Sequence, residues 1–441
     1  MKNGIKKKYF VIIASSKIIC VNLWPNNFKT DFMQKRITSI LALLFLAGNV
    51  LAGGPQVSLH GQKQIGMGLI GTSLSLDASS AFYNPGALAF LNQKTYISFG
   101  ISPLRSYVDY RTAQPSVYEA RTNDPIGTPL YFYASDQVTK KFRVALAINT
   151  PYGNSLKWDK NWAGRYEIQD LSLACITVQP TLSYKVNDWL GIGAGFVFAF
   201  GTVELNKAIP VGGVNGDGTL GIKGSTNTTG FNLGIKIKPT PKLEFGMDYR
   251  SKLNMKLTSA TADFVVPASM STSFPAGNTV NATLPLAANL DIGGSYWVDE
   301  KLMVGFSLNY VMWNVYDSLK FDFKTNTSLL PNVHSPRLYK NQMIYRIGGQ
   351  YILNPKITLR AGAYYDPSPC NPNYFTPETP SLNNTAFTCG LSYSPVKKVS
   401  IDLSFLYIQG AQKDLTFVPD NFSGTYKTRF FIPGIGVSIN L

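Results

Sequence analysis

From about Lys94 to the C-terminus the chain alternates apolar and polar residues with a period of two. The alternating runs are joined in turn by very short polar turns and by long, Gly/Pro/Asn-rich connections. Successive side chains of a strand point to opposite faces. After Trp189, Leu190, Ile192, Ala194, Phe196, Phe198 and Phe200 share one face, while Gly191, Gly193, Gly195, Val197, Ala199 and Gly201 share the other. Leu243, Phe245, Met247 and Tyr249 oppose Glu244, Gly246, Asp248 and Arg250 in the same way, and Ile401, Leu403, Phe405 and Tyr407 oppose Asp402, Ser404 and Leu406. One face is too apolar for water and the other is small or charged. That pattern predicts a sheet closed on itself across a membrane, with lipid outside and a polar lumen inside. A charge on the lipid face would cost ~2–4 kcal/mol at mid-depth, whereas charges on the inner face can pair across the lumen.

Six short turns punctuate the pattern, at residues 138–141, 186–188, 238–242, 298–301, 354–356 and 394–398. Long connections are expected near 112–128, 158–170, 206–226, 262–282, 324–342, 366–383 and 410–427. Together they predict an all-β fold, a transmembrane antiparallel β-barrel of about 14 strands over residues 94–441, with the even strand number of bacterial single-chain barrels. Ile435, Val437, Ile439 and Leu441 carry the outward pattern to the last residue, which suits closure against the first strand. The 24 Tyr and 26 Phe suit interfacial girdles. After residue 52 no stretch has the roughly 18 uninterrupted apolar residues of a spanning helix. A large soluble β-sandwich or propeller is the competing architecture, and the apolar outward faces count against it.

Residues 53–93 do not fit the wall. They are rich in small residues, end in Tyr83-Asn84-Pro85-Gly86-Ala87, and read as a plug folded into the lumen. A disordered tail is the alternative, opposed by Leu69, Ile70, Leu74, Leu76, Phe82 and Leu88. Further upstream, Met33-Gln34-Lys35-Arg36, the apolar run Ile37 to Ala47 and Val50-Leu51-Ala52 have the three regions of a secretory signal, with cleavage expected after Ala52. Residues 1–32 then read as an extension from a start assigned too early, or as a cytoplasmic or anchoring segment, although Lys17 in its apolar part speaks against a spanning helix. Without residues 1–52, which hold eight Lys/Arg and one Asp, the net charge falls from +16 to +9. The remaining basic residues are scattered, so no nucleic-acid partner is read from them.

Candidate chemistry is sparse. Cys175, Cys370 and Cys389 cannot all pair and form no CxxC, so no metal, redox site or cofactor is expected. His60 and His334 are the only histidines, no G-x-S-x-G or H-E-x-x-H pattern occurs, and no catalytic residue is assigned. Asn215-Gly216-Asp217-Gly218 looks like part of a calcium loop but lacks downstream ligands.

Several short motifs occur in a telling order. Asn84-Pro85 is followed by Pro151-Tyr152-Gly153, Trp162-Ala163-Gly164-Arg165-Tyr166, Leu284-Pro285, Gly294-Ser295-Tyr296, Tyr310-Val311-Met312-Trp313, Tyr345-Arg346-Ile347-Gly348 and Arg360-Ala361-Gly362 leading to Asp366-Pro367-Ser368-Pro369. In this order they resemble the FadL/TodX family of outer-membrane transporters for long-chain fatty acids and other hydrophobic compounds, over essentially the whole mature chain. Gly86 stands where that family has Ala, and Leu441 where such barrels usually end in Phe.

A proline cannot donate to a β-ladder and an interior glycine often marks a bulge, so pairing should fail near Pro151, Tyr152 and Gly153. The resemblance implies a lateral opening there, with Gly153 as the kink; alternatively Pro151 merely begins the outer rim. Asn84, Pro85, Gly86 and Ala87 either end a plug helix or, as the resemblance implies, pack against that kink and gate it. A substrate carboxylate in an apolar pocket would need a cation, for which Arg165, Lys340 and Arg346 are candidates; inner-wall salt bridges with Asp248, Asp366 or Glu167 are the other reading. Apolar residues near 162–171 and 264–274 could form a landing site for substrate or act as interfacial anchors.

The function expected is passive uptake of a hydrophobic small molecule across the outer membrane of a Gram-negative bacterium, by a monomer in contact with outer-membrane lipid. A general porin, with an open charged channel, is the second reading. An outer-membrane lipid-modifying enzyme is the third.

Overall fold

The computed structural model describes residues 11–14, 17–20, 56–112, 117–211 and 216–441. In the first unit, Val11–Ala14 pairs antiparallel with Lys17–Cys20. The expected signal sequence at 33–52, its cleavage site, and the rest of the 1–32 extension lie outside the described residues.

The second unit is a closed antiparallel barrel of 14 strands. They are β1 (Thr95–Ile101 and Arg105–Arg111), β2 (Glu119–Arg121 and Leu130–Gln137), β3 (Phe142–Lys157), β4 (Asp170–Lys185), β5 (Leu190–Ile209), β6 (Gly218–Ile237) and β7 (Leu243–Arg250 and Leu253–Val265). The circle continues through β8 (Asn278–Leu286 and Ala288–Trp297), β9 (Leu302–Met312 and Ser318–Phe323), β10 (Val333–Pro336 and Gln342–Asn354), β11 (Ile357–Asp366), β12 (Asn384–Val396), β13 (Val399–Gly410 and Lys413–Phe417) and β14 (Phe422–Asn440). β14 closes on β1, with Ile435 opposite Ile101 and Asn440 opposite Tyr96.

All six short turns fall between consecutive strands as the polar punctuation predicts. Two expected long loops are mostly strand instead. β5 runs to Ile209 and β6 resumes at Gly218, and β13 continues through Lys413–Phe417 before β14 begins at Phe422. The Gly and Asn content there reads as loop, yet the two arms of each hairpin pair with each other, as Leu205 does with Ile222, and that satisfies the backbone.

The alternating faces sort as lipid and lumen demand. Phe196, Phe198, Phe200, Phe245, Met247, Leu403 and Phe405 are exposed on the outside, while Glu244, Asp248, Arg250, Asp402 and Ser404 are buried inside. Residues 56–91, most of them buried, pack against those inward side chains, with short helices at Gln62–Ile65 and Ser80–Tyr83 and a 3-10 turn at Pro85–Phe90. They are tied to the wall on several sides. Gln62 donates to Ser102 of the β1 region at 3.0 Å, Lys63 pairs with Asp77 at 3.0 Å and lies 3.7 Å from Asp402 of β13, Gly68 N–H donates to Thr388 of β12 at 2.9 Å, and Thr72 donates to Asp291 of β8 at 2.8 Å. Inward glycines make room for this backbone: a Cβ on Gly348 would sit 2.3 Å from the Met67 carbonyl oxygen, and one on Gly362 2.4 Å from the Gly68 nitrogen.

Candidate functional site

The wall is interrupted at β3. Its ladder with β2 runs from Arg143 to Asn149 and stops there, opposite Tyr131. On the other side its register with β4 shifts between Asn149, opposite Thr177, and Tyr152, opposite Cys175, so three residues of β3 cover two of β4. This is a β-bulge, and Pro151, which has no N–H to donate, lies within it. Residues 149–154 are all buried in succession, so the strand has lost its lipid-facing side and bends into the lumen.

Across the interruption β2 is not a strand either. Pro125-Ile126-Gly127-Thr128-Pro129 connects its two pieces and turns toward β1, where Leu104 and Gly127 exchange backbone hydrogen bonds of 2.8 and 3.0 Å. The two walls rejoin above, where Asn123 N–H donates to the Lys157 carbonyl at 2.8 Å and Lys157 N–H donates to the Asp124 carboxylate at 2.8 Å. The stretch without a β2–β3 ladder corresponds to about seven residues, or roughly 20 Å of strand. Pro125 and Pro129 escaped the sequence reading, which placed this stretch in the long connection near 112–128.

The lumenal segment meets the interruption with its first described residues. Val57 N–H donates to the Pro151 carbonyl at 2.8 Å, Gln56 forms an antiparallel bridge with Tyr152, and the Gln56 side chain donates to Asn289 of β8 at 3.1 Å. Of the two readings of Asn84, Pro85, Gly86 and Ala87, the geometry fits the end of a plug helix, since Asn84 is the C-cap of Ser80–Tyr83, and it does not support packing against the kink. Asn84 caps the 3-10 turn by accepting from Gly86 N–H at 2.9 Å, and donates to the carbonyls of Thr72 at 2.7 Å and Ile235 of β6 at 2.9 Å. The motif faces β5 and β6: a Cβ on Gly193 would lie 2.5 Å from Pro85, and one on Gly86 2.8 Å from the carbonyls of both Gly191 and Gly234. No room exists for an alanine at 86, which accounts for the glycine. Toward β3, Leu88 of the turn shares a buried cluster with Ala145 and Ala147 of the lower strand.

Beside the interruption lies a narrow apolar cavity. Asn154 of β3 and Cys175 of β4 line it next to Tyr152. Cys175, Met255 and Leu286 belong both to its lining and to the cluster around Tyr152, while Leu171, Leu205 and Ile222 belong both to its lining and to the outer cluster of Trp158, Trp162 and Phe274. Phe264 and Met270 pack half-buried on that outer cluster, which touches the cavity through Leu171. Within that cluster the buried rings of Trp158 and Trp162 stack 4.0 Å apart.

None of the three candidate cations lines this cavity. Arg165 donates to Asp217 at 2.6 Å and to Tyr166 at 2.8 Å on the outer loops, which also commits the aspartate of the calcium-like fragment; Asn215 lies outside the described residues. Lys340 is exposed. Arg346 pairs with Asp291 at 3.0 Å and lines a separate polar cavity with His60, Asp248 and Arg250. Arg346 is thus ion-paired, but with Asp291 rather than with Asp248, Asp366 or Glu167, and Arg165 pairs with Asp217 on the outer loops. The cavity's charged liner is Glu378, held by the buried guanidinium of Arg337. Nothing in the sequence pattern singles out Arg337. Cys175, Cys370 and Cys389 are free thiols. His60 is buried against Phe82 and His334 is exposed.

The comparisons with known proteins agree with this architecture. Residues 43–432 match the family model described as outer membrane protein transport protein (OMPP1/FadL/TodX). Outer membrane protein P1 of Haemophilus influenzae is 24% identical over 330 residues, covering 68% of this chain and 70% of that protein. The long-chain fatty acid transport protein of Escherichia coli (strain K12) is 19% identical, covering 91% and 98%. Among solved structures, a Pseudomonas aeruginosa FadL homologue superposes with a TM-score of 0.77 at 20% identity, over 88% of this chain and 99% of that one. The Ralstonia pickettii toluene transporter TbuX does so with a TM-score of 0.66 at 16% identity, over 90% and 100%. Closed barrel, lumenal segment and family match converge: the chain is a bacterial outer-membrane protein and belongs to the OMPP1/FadL/TodX transport family.

Proposed function

We propose that this protein carries hydrophobic small molecules, long-chain fatty acids or aromatic hydrocarbons, passively across the outer membrane. The molecule is captured among the apolar outer loops, passes into the cavity, and leaves sideways between β2 and β3, where residues 56–57 act as the gate. One observation carries this reading: Asn154 of β3 and Cys175, the β4 residue opposite Tyr152, line the apolar cavity. A solute held there is already at the wall. The names of the relatives, a fatty acid transport protein and a toluene transporter, supply the two substrate classes. A closed barrel offers no free strand edge through which to add a second copy, which supports a monomer.

Two other readings find less support. A general porin needs an open polar channel, and here the lumen holds residues 56–91. An enzyme needs a base beside a nucleophile, and the two histidines lie one in the lumenal segment and one exposed on β10.

The test is equilibrium binding of labelled oleate and labelled toluene to the purified protein in detergent, alongside ion conductance in planar bilayers. Saturable binding of either compound with little conductance is expected, and filling the cavity through Ala282→Trp should abolish that binding. Porin-like conductance without saturable binding would defeat the proposal.

A further inference from the structure

The outward face of β14 and β1 changes character abruptly along its length. From the last turn upward it shows Ile439, Val437, Ile435 and Phe431 on β14 and Ile97, Phe99 and Ile101 on β1, an uninterrupted apolar surface for lipid. Directly above, the same face carries Arg429 and Lys427 on β14 and Arg105 and Arg111 on β1, and Arg121 joins them from the short outer piece of β2. The register makes these neighbours: Lys427 is opposite Asp109, which is opposite Arg121, and Arg105 is opposite Phe431. Ser106, Val108 and Tyr110 point inward and are buried, which fixes the basic residues on the outside.

We propose that this patch binds the phosphate groups on the sugar headgroup of lipopolysaccharide, the phosphorylated glycolipid of the outer leaflet. The patch begins where the hydrocarbon face ends, which is the depth of a lipid headgroup. Three carboxylates lie among the five cations. Asp109 is shared between Arg121 and Arg429, the latter at 2.9 Å, Glu119 stands 3.8 Å from Arg111, and Asp414 accepts from Thr425. Among the described residues Arg105 and Lys427 have no carboxylate within salt-bridge distance, and Nε of Arg429 is buried without a partner. Arg105 and Arg121 both lie over the Tyr107 ring, at 5.3 and 5.9 Å from its centre, so the guanidinium groups are held by the ring. Guanidinium forks match phosphate oxygens in pairs, and an excess of cations held at headgroup depth favours an anionic lipid over the zwitterionic lipids of an inner leaflet.

The experiment titrates the full protein in detergent with lipid A, with lipid A stripped of its phosphates, and with inorganic phosphate alone. Phosphorylated lipid A should bind, the stripped lipid much more weakly, and inorganic phosphate should not compete at matched concentration. The double variant Arg105→Gln/Lys427→Gln should weaken binding of phosphorylated lipid A by about 30-fold, at ~1 kcal/mol per cation, while oleate or toluene binding in the cavity stays as in the wild type. Equal binding of the two lipids, or unchanged affinity in the folded variant, would overturn the proposal. Competition by inorganic phosphate would overturn the lipid as its ligand. If the variant does not fold, the comparison of the two lipids on the wild-type protein still decides.

Discussion

Val57 and Pro151, 94 positions apart in the chain, are joined by one backbone hydrogen bond of 2.8 Å from the Val57 N–H to the Pro151 carbonyl. That contact does for β3 what β2 does not, since the β2–β3 ladder ends at Asn149. A strand carbonyl left without a partner at membrane depth costs several kcal/mol. Val57 of the lumenal segment thus supplies the partner that this β3 carbonyl does not receive from β2.

Val57→Pro removes the donor while keeping an extended backbone. Cells carrying it should take up labelled hydrophobic substrate at least as fast as the wild type and should admit more of a bulky hydrophobic antibiotic. Uptake below wild type, at equal protein level, would mean that the bond is needed for passage and is no gate.

Restoring donors on both sides of the interruption, with Pro129→Thr and Pro151→Thr, should have the opposite effect. Both threonines suit a strand. Uptake should fall sharply while detergent-phase binding in the cavity persists, because the cavity lies upstream of the exit. Normal uptake by a folded double variant would point to passage straight through to the periplasm.

Gly86→Val places side-chain atoms where the carbonyls of Gly191 and Gly234 already stand 2.8 Å from a Cβ. Backbone cannot give way cheaply there. The Asn84–Ala87 turn should be driven off β5 and β6, raising single-channel conductance in planar bilayers, while the barrel keeps its heat-modifiable mobility because wall stability comes from strand pairing.

Cys175 is a buried free thiol on the cavity wall. In a Cys370→Ser/Cys389→Ser background, a small apolar maleimide should label it slowly, and saturating substrate should slow that further. Labelling insensitive to substrate would remove the cavity from the pathway.

Glu167, on the outer loop between β3 and β4, has its carboxyl pushed up to about 8 by burial and by the Asp420 carboxylate beside it. Between its ordinary value of 4.5 and about 8 the folded loop holds a proton that the unfolded chain releases, so stability falls as pH rises through that window. Limited proteolysis of this loop should therefore be slower at pH 5 than at pH 8. Glu167→Gln, which never ionises, should flatten the profile.

The barrel was legible because its signals are local. Each outward face follows from a two-residue period, as in Phe196, Phe198 and Phe200, and each short turn from a few adjacent polar residues such as Asn354-Pro355-Lys356. Loop length was less legible at 206–226, because glycine and asparagine content cannot reveal that Leu205 will pair with Ile222 and carry both strands outward. Pro151 announced a weakness in β3 by its missing N–H alone. Only the tertiary structure decided what answers that weakness. Val57 approaches Pro151, Asn84 goes to Ile235 on β6, Arg346 is spent on Asp291, and Arg337 holds Glu378 at the cavity. These partners are set by how a lumenal segment packs inside a closed sheet, where residues far apart in the chain meet across the lumen, and no periodicity along one strand encodes which side chain stands on the opposite wall.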